Sequence, residues 1–117
     1  MFERLKAHRS LFTEDKIFLF KEHALMILTK TEDADASEAK IEEMVDILCK
    51  IMINSVSIAT PSDYETVVGI GLFEKISFMN HSCANNCEGV FFGDKMKVTT
   101  TIGIPQGQEL TISYINP

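Results

Sequence analysis

The chain has 117 residues, 17 acidic against 11 basic side chains, a formal net charge of −6 and 45% hydrophobic residues. That length suits one folded core, the apolar share excludes wholesale disorder, and an acidic chain without clustered Lys or Arg excludes broad phosphate-backbone binding, so no direct nucleic-acid partner is expected. The longest apolar stretches, 17–20 and 24–28, fall far short of the ~20 residues that span a membrane, the N-terminus lacks the order of a secretory signal, and the three cysteines are an odd count; a reducing compartment, cytoplasmic or nuclear, and no membrane partner are expected.

In chain order, residues 2–9 suit a short helix. Thr13 then offers an N-cap ahead of Glu14 and Asp15, and Ile17, Phe20, Ala24, Ile27 and Leu28 form one stripe, which predicts a helix over 14–30. Residues 31–36 are an acidic loop. Asp35 with Glu38 resembles a capping box before Ile41, Met44, Val45, Leu48 and Met52, predicting a second helix to residue 53. Both stripes read as core packing rather than a cofactor site.

From Ser55 the period becomes two: Val56 and Ile58 alternate with small residues, and Pro61-Ser62-Asp63 closes a short strand. Residues 66–70 are β-branched and end in Gly69-Ile70-Gly71, read as a bend because a lone Gly-x-Gly is a weak phosphate-binding signal. Val90-Phe91-Phe92 and residues 95–101 flank Gly93-Asp94, a pair suited to a type II′ hairpin turn. Pro105-Gln106-Gly107 makes another turn before the alternation over 109–114. The expected class is α+β: two N-terminal helices, then small twisted antiparallel sheets.

Reactive side chains concentrate in Asn80-His81-Ser82-Cys83-Ala84-Asn85-Asn86-Cys87. His81, Cys83 and Cys87 could be three zinc ligands, although a closed structural site needs a fourth. Equally, the cysteines could be small buried hydrophobes and the polar side chains could satisfy an irregular turn. A Cys and His nucleophilic pair is weaker, since residues two apart seldom align thiolate and imidazole.

Asn80-His81-Ser82-Cys83 with Asn86 and Cys87, followed about twenty residues on by Gly107-Gln108-Glu109-Leu110-Thr111-Ile112-Ser113-Tyr114, resembles the paired signature of SET-domain lysine methyltransferases. Asn54-Ser55-Val56-Ser57-Ile58 and Val68-Gly69-Ile70-Gly71-Leu72-Phe73 look most like the SET and MYND subfamily. The resemblance covers residues 50–117, with 1–53 placed where that subfamily carries a helical insertion. It implies a β-clip fold with a pseudoknot, here incomplete, in which 54–117 is the C-terminal half of a SET domain. The activity it implies is S-adenosylmethionine-dependent methylation of a protein lysine, histone or other. Asn80 and His81 would contact the cofactor, with Asn54, Ser77 and Phe78 nearby; Tyr114 would be the channel tyrosine that orients the lysine and helps deprotonate it; Glu109 would be structural, through bonds to backbone. Cys83 would ligate zinc only if a post-SET cysteine cluster were supplied, as it could be in a full-length protein.

The sequence departs from the family's pattern at Asn85, where a proline is usual, and at Asn116, where an acid is usual. The glycine-rich cofactor loop of the N-terminal SET half, the MYND zinc module and the post-SET cysteines have no counterpart in these residues. The partner expected first is therefore the remainder of the SET domain, without which the chain is expected to be inactive, marginally stable or self-associating. The alternative is a truncated, non-catalytic SET remnant that acts as a protein-interaction module.

Overall fold

The computed structural model describes residues 2–31, 35–60 and 66–115. It divides into two compact units, Met1–Asn54 and Ser55–Pro117, each treated by itself. Among the described residues no helix is long and apolar enough to cross a membrane.

The first unit is built on two helices, α1 (Glu14–Leu28) and α2 (Glu38–Asn54), that share one apolar core. The Thr13 side chain accepts a hydrogen bond from the Lys16 amide at 3.3 Å, capping α1 as its sequence predicts. Phe20, Ala24, Val45 and Cys49 form the buried centre, with Ile17, Ile41, Met44 and Leu48 packed around it. A buried Phe or Val contributes about 1.5–3 kcal/mol of hydrophobic stabilisation. Phe12 meets Phe20 edge-on with ring centroids 5.4 Å apart, fastening the preceding segment to α1. The Arg9 guanidinium and Lys21 ammonium both reach Glu42, at 2.6 Å each, and hold its carboxyl below the usual carboxylate range.

Three local expectations change here. Residues 2–9 do not form one helix: two 3-10 turns, Phe2–Arg4 and Arg9–Leu11, are separated at His8, whose φ of 42° lies in the left-handed region and stops helix propagation. Helix α1 ends at Leu28, where the Thr29 hydroxyl turns back onto the Leu25 and Met26 carbonyls. The capping box does not form; the Asp35 carboxylate accepts from the Ser37 amide at 3.0 Å in an Asx turn, the Ser37 carbonyl accepts from the Ile41 amide, and α2 starts at Glu38.

Among its described residues the second unit contains three two-stranded sheets. Strands β1 (Val56–Ala59) and β2 (Val67–Gly71) run antiparallel, with a register shift between Ile58 and Ala59. The Gly69-Ile70-Gly71 step is part of β2 rather than a bend. Gly71 is required by close approach: a Cβ there would lie 2.7 Å from the Phe73 ring and 3.1 Å from Ile58 Cδ1. The expected Pro61-Ser62-Asp63 turn lies outside the described residues.

Strands β4 (Cys87–Phe92) and β5 (Lys95–Thr100) pair in strict register from Cys87↔Thr100 to Phe92↔Lys95. Their two-residue turn puts Gly93 at φ 60°, as a type II′ turn requires of its first central residue. The third pair is parallel: β3 (Asn80–His81) lies beside β6 (Thr111–Ile112), in the register Asn80↔Thr111 and His81↔Ile112. A parallel pair needs a crossover, and the β4–β5 hairpin lies within it. The alternation over 109–114 thus yields only two ladder residues, preceded by a turn in which the Gln108 amide donates to the Pro105 carbonyl and Gly107 sits at φ 88°. Ile76, Cys87 and Ile112 are the buried centre, packed by Val56, Phe73, Met79, Met96 and Val98.

Candidate functional site

The β3–β6 bridge places the two sequence motifs side by side, and a buried amide holds them there. Asn86, 5% exposed, donates through Nδ2 to the Glu109 carbonyl at 2.8 Å and accepts at Oδ1 from the Thr111 amide at 2.9 Å. One side-chain amide thus supplies the donor and acceptor that a neighbouring strand would offer to this stretch. Its own backbone carbonyl accepts from the Thr101 amide at 2.9 Å, and the Cys87 thiol points to its Oδ1 at 3.4 Å. Downstream, the Ser82 amide extends the bridge by donating to the Ile112 carbonyl.

His81 reaches further along the second motif. Its Nδ1 accepts the Tyr114 backbone N–H at 3.0 Å, so Nδ1 is unprotonated and the ring proton resides on Nε2, which faces Cys83 Sγ at 3.3 Å. The His81 and Tyr114 rings lie 5.4 Å apart at 43°. The Tyr114 hydroxyl donates to the Met79 carbonyl. With its proton committed there, the phenolic oxygen turns only acceptor capacity toward a further partner. Tyr114 remains 64% exposed, unlike a core tyrosine.

Asn80 is exposed, and its Nδ2 donates to a Glu109 carboxylate oxygen at 2.6 Å. Ser77 and Phe78 precede it in a 3-10 turn, where the Ser77 hydroxyl closes onto the Phe73 carbonyl at 2.8 Å and the Phe78 ring is half exposed. The second unit therefore brings Asn80, His81, Tyr114, Glu109 and Met79 together, with Ser77 and Phe78 on the adjoining turn. Asn54 belongs to the first unit, at the end of α2, where its amide donates to the Lys50 carbonyl at 2.8 Å and to the Lys6 carbonyl at 3.3 Å.

Two contacts within this cluster were not anticipated. Glu109 was expected to bond to backbone, yet its carboxylate takes the Asn80 amide; and the Met79 carbonyl, which the motif letters do not specify, fixes the Tyr114 hydroxyl.

Cys87 and Cys49 are buried and Cys83 is exposed. Among the described residues no three His, Cys, Asp or Glu side chains are grouped to hold a metal, so His81, Cys83 and Cys87 do not assemble as a ligand set. Burial pushes the Cys49 thiol up, further suppressing its thiolate. Brief treatment of the native chain with N-ethylmaleimide is therefore expected to give a single adduct, at Cys83, while treatment in denaturant modifies all three cysteines. Mass spectrometry of the digested protein checks this, and a native adduct at Cys87 would contradict the packing described.

The two separated motifs are thus joined by a short parallel bridge across a hairpin. The SET domain profile matches residues 4–115, and the chain belongs to the SET domain family. Among similar proteins is the histone-lysine N-methyltransferase SMYD3 of Mus musculus, 32% identical over 118 residues that cover 98% of this chain and 27% of that protein. The histone-lysine N-methyltransferase ASHR1 of Arabidopsis thaliana is 31% identical over 114 residues, covering 97% of this chain and 22% of that one. A SET and MYND domain-containing protein of Dictyostelium discoideum is 35% identical over 74 residues, 63% of this chain and 19% of the other. The chain thus spans about a quarter of the length of the SMYD3 and ASHR1 relatives.

Proposed function

We propose that this chain is part of an S-adenosylmethionine-dependent protein lysine N-methyltransferase, acting on histone or other protein lysines in the cytoplasm or nucleus. In this reading 54–117 supply the C-terminal half of the SET domain and 1–53 a helical, insert-like region. The observation that carries it is the Tyr114 hydroxyl, held by the Met79 carbonyl and anchored through its backbone to His81.

The residues present suit the cofactor's chemistry. An exposed amide at Asn80 and the half-exposed Phe78 ring match a ligand that combines N–H donors with a flat heterocycle. Bound there, S-adenosylmethionine would supply the transferable methyl group. Asn80 and His81 would hold it, with Ser77 and Phe78 adjoining. The phenolic oxygen of Tyr114 would accept an N–H of the incoming amine and so direct the nitrogen lone pair away from the ring. An ordinary lysine, with a pKa near 10.4, must lose a proton before attack; apolar surroundings favour that neutral form. Cys83 would serve zinc only beside further thiolates.

Titration of S-adenosylmethionine into the chain, followed by calorimetry, tests the reading. Saturable binding that disappears in Asn80→Ala and His81→Ala supports it; no binding at millimolar cofactor removes a cofactor site from this chain. A second reading, a non-catalytic interaction module, is favoured by the two-stranded β1–β2 ribbon, which leaves Val68 and Ile70 exposed. Chain that binds no cofactor yet gains a stoichiometric protein partner through β2, lost in Ile70→Lys, would establish that alternative.

A further inference from the structure

We infer that Glu109 is a positioning residue that fixes which way the Asn80 amide faces its ligand. This rests on the cofactor reading above and adds to it a residue and a polarity. A carboxylate only accepts, so the atom 2.6 Å from Glu109 must be the amide nitrogen of Asn80. The Asn80 carbonyl oxygen is consequently turned away from Glu109. In that orientation Asn80 offers the ligand an acceptor, and the ligand group it takes is an N–H donor.

The placement of Glu109 is built in rather than incidental. Asn80 is in register with Thr111, and Glu109 stands two residues before that partner, where its carboxylate meets the Asn80 amide. The backbone on both sides of Leu110 is fixed by Asn86, which takes the Glu109 carbonyl and the Thr111 amide. The carboxylate also polarises the amide it holds, drawing electron density toward the outward-facing oxygen and strengthening it as an acceptor for a cationic donor.

Exchange of the two groups tests this. In the full chain, Asn80→Asp sets two carboxylates against each other, Glu109→Gln removes the charge, and the double variant Asn80→Asp with Glu109→Gln restores one donor and one acceptor with reversed polarity. Urea denaturation and S-adenosylmethionine titration by NMR are measured on all four chains. Each single variant is expected to lose about five- to tenfold in cofactor affinity, the scale of one charge-assisted hydrogen bond at an exposed site, and the double variant to return to within about threefold of the parent.

Titration of methylthioadenosine, which keeps the adenine amine and lacks the ammonium, assigns the donor. A loss confined to S-adenosylmethionine identifies the ammonium; an equal loss on both ligands identifies the adenine amine; either supports the inference. If the parent binds and Glu109→Gln binds both ligands equally well, the positioning role is overturned while the cofactor reading stands. If the parent binds neither ligand, the cofactor reading fails and the inference with it. Denaturation midpoints keep the test decisive where Asn80→Asp folds poorly: a double variant no more stable than Asn80→Asp overturns the pairing itself.

Discussion

Asn86→Ala is expected to destabilise the second unit by about 2–5 kcal/mol, enough to unfold a marginal domain. The substitution removes an amide that is 5% exposed and leaves the Glu109 carbonyl and Thr111 N–H without their partner. Each abandoned backbone group costs about 1–3 kcal/mol when water cannot reach it, and the lost side chain leaves a gap beside Cys87. Asn86→Asp separates the two roles. The carboxylate can still accept from Thr111, but it opposes the Glu109 carbonyl with a second acceptor, so it is expected to recover less than half of the loss. Urea unfolding monitored by circular dichroism measures both; a loss below about 1 kcal/mol for Asn86→Ala would mean that water replaces the amide.

Tyr114→Phe carries the largest expected effect on activity. On the proposed methyltransferase reading, and in a chain completed by the remainder of its SET domain, methyl transfer to a protein lysine is expected to fall by about a hundredfold or more, because the amine would lose the acceptor that holds it in line. Stability is expected to change little. The ring contact with His81 and the backbone bond to His81 Nδ1 both survive, and the Met79 carbonyl that loses its partner adjoins an exposed residue. Cofactor affinity should stay within about twofold, so the defect falls on turnover. Parallel measurement of transfer rate, cofactor affinity and melting temperature checks the assignment, and a Phe variant as active as the parent would dismiss the hydroxyl's role.

The parts of the fold that sequence made legible are those whose cause is local. Thr13 with its following acids starts α1 where its chemistry directs, and Gly93-Asp94 closes β4 on β5 in the expected register. Asp35 misleads because the same carboxylate that can cap a helix three residues on can also close an Asx turn two residues on, and Ser37 then takes the capping position. His8 was unreadable: a left-handed conformation at a residue other than glycine is uncommon and is not written in the local sequence pattern.

The site itself was legible only through family resemblance. Periodicity alone would bury Tyr114 with Leu110 and Ile112, whereas the chain leaves Tyr114 and Leu110 exposed and buries Ile112. The partnership of Asn80 with Glu109, and of Tyr114 with the Met79 carbonyl, depends on a parallel register between segments separated by a hairpin. No short window of sequence encodes that register.

The β3–β6 bridge has a further consequence for the order of assembly. The β4–β5 hairpin closes over two residues and can form within microseconds, whereas Asn80 and Thr111 must meet across the whole intervening crossover and meet the greater loop-closure entropy. The hairpin should therefore exist before the bridge does, with Asn86 at its base waiting for the Glu109 and Thr111 backbone. The bridge has two paired positions against six in the hairpin, so amide exchange at Ser82, Thr111 and Tyr114 should outpace that within the hairpin. Tyr114 would then come into place in the last step of folding, and its geometry would report on whether that step is complete.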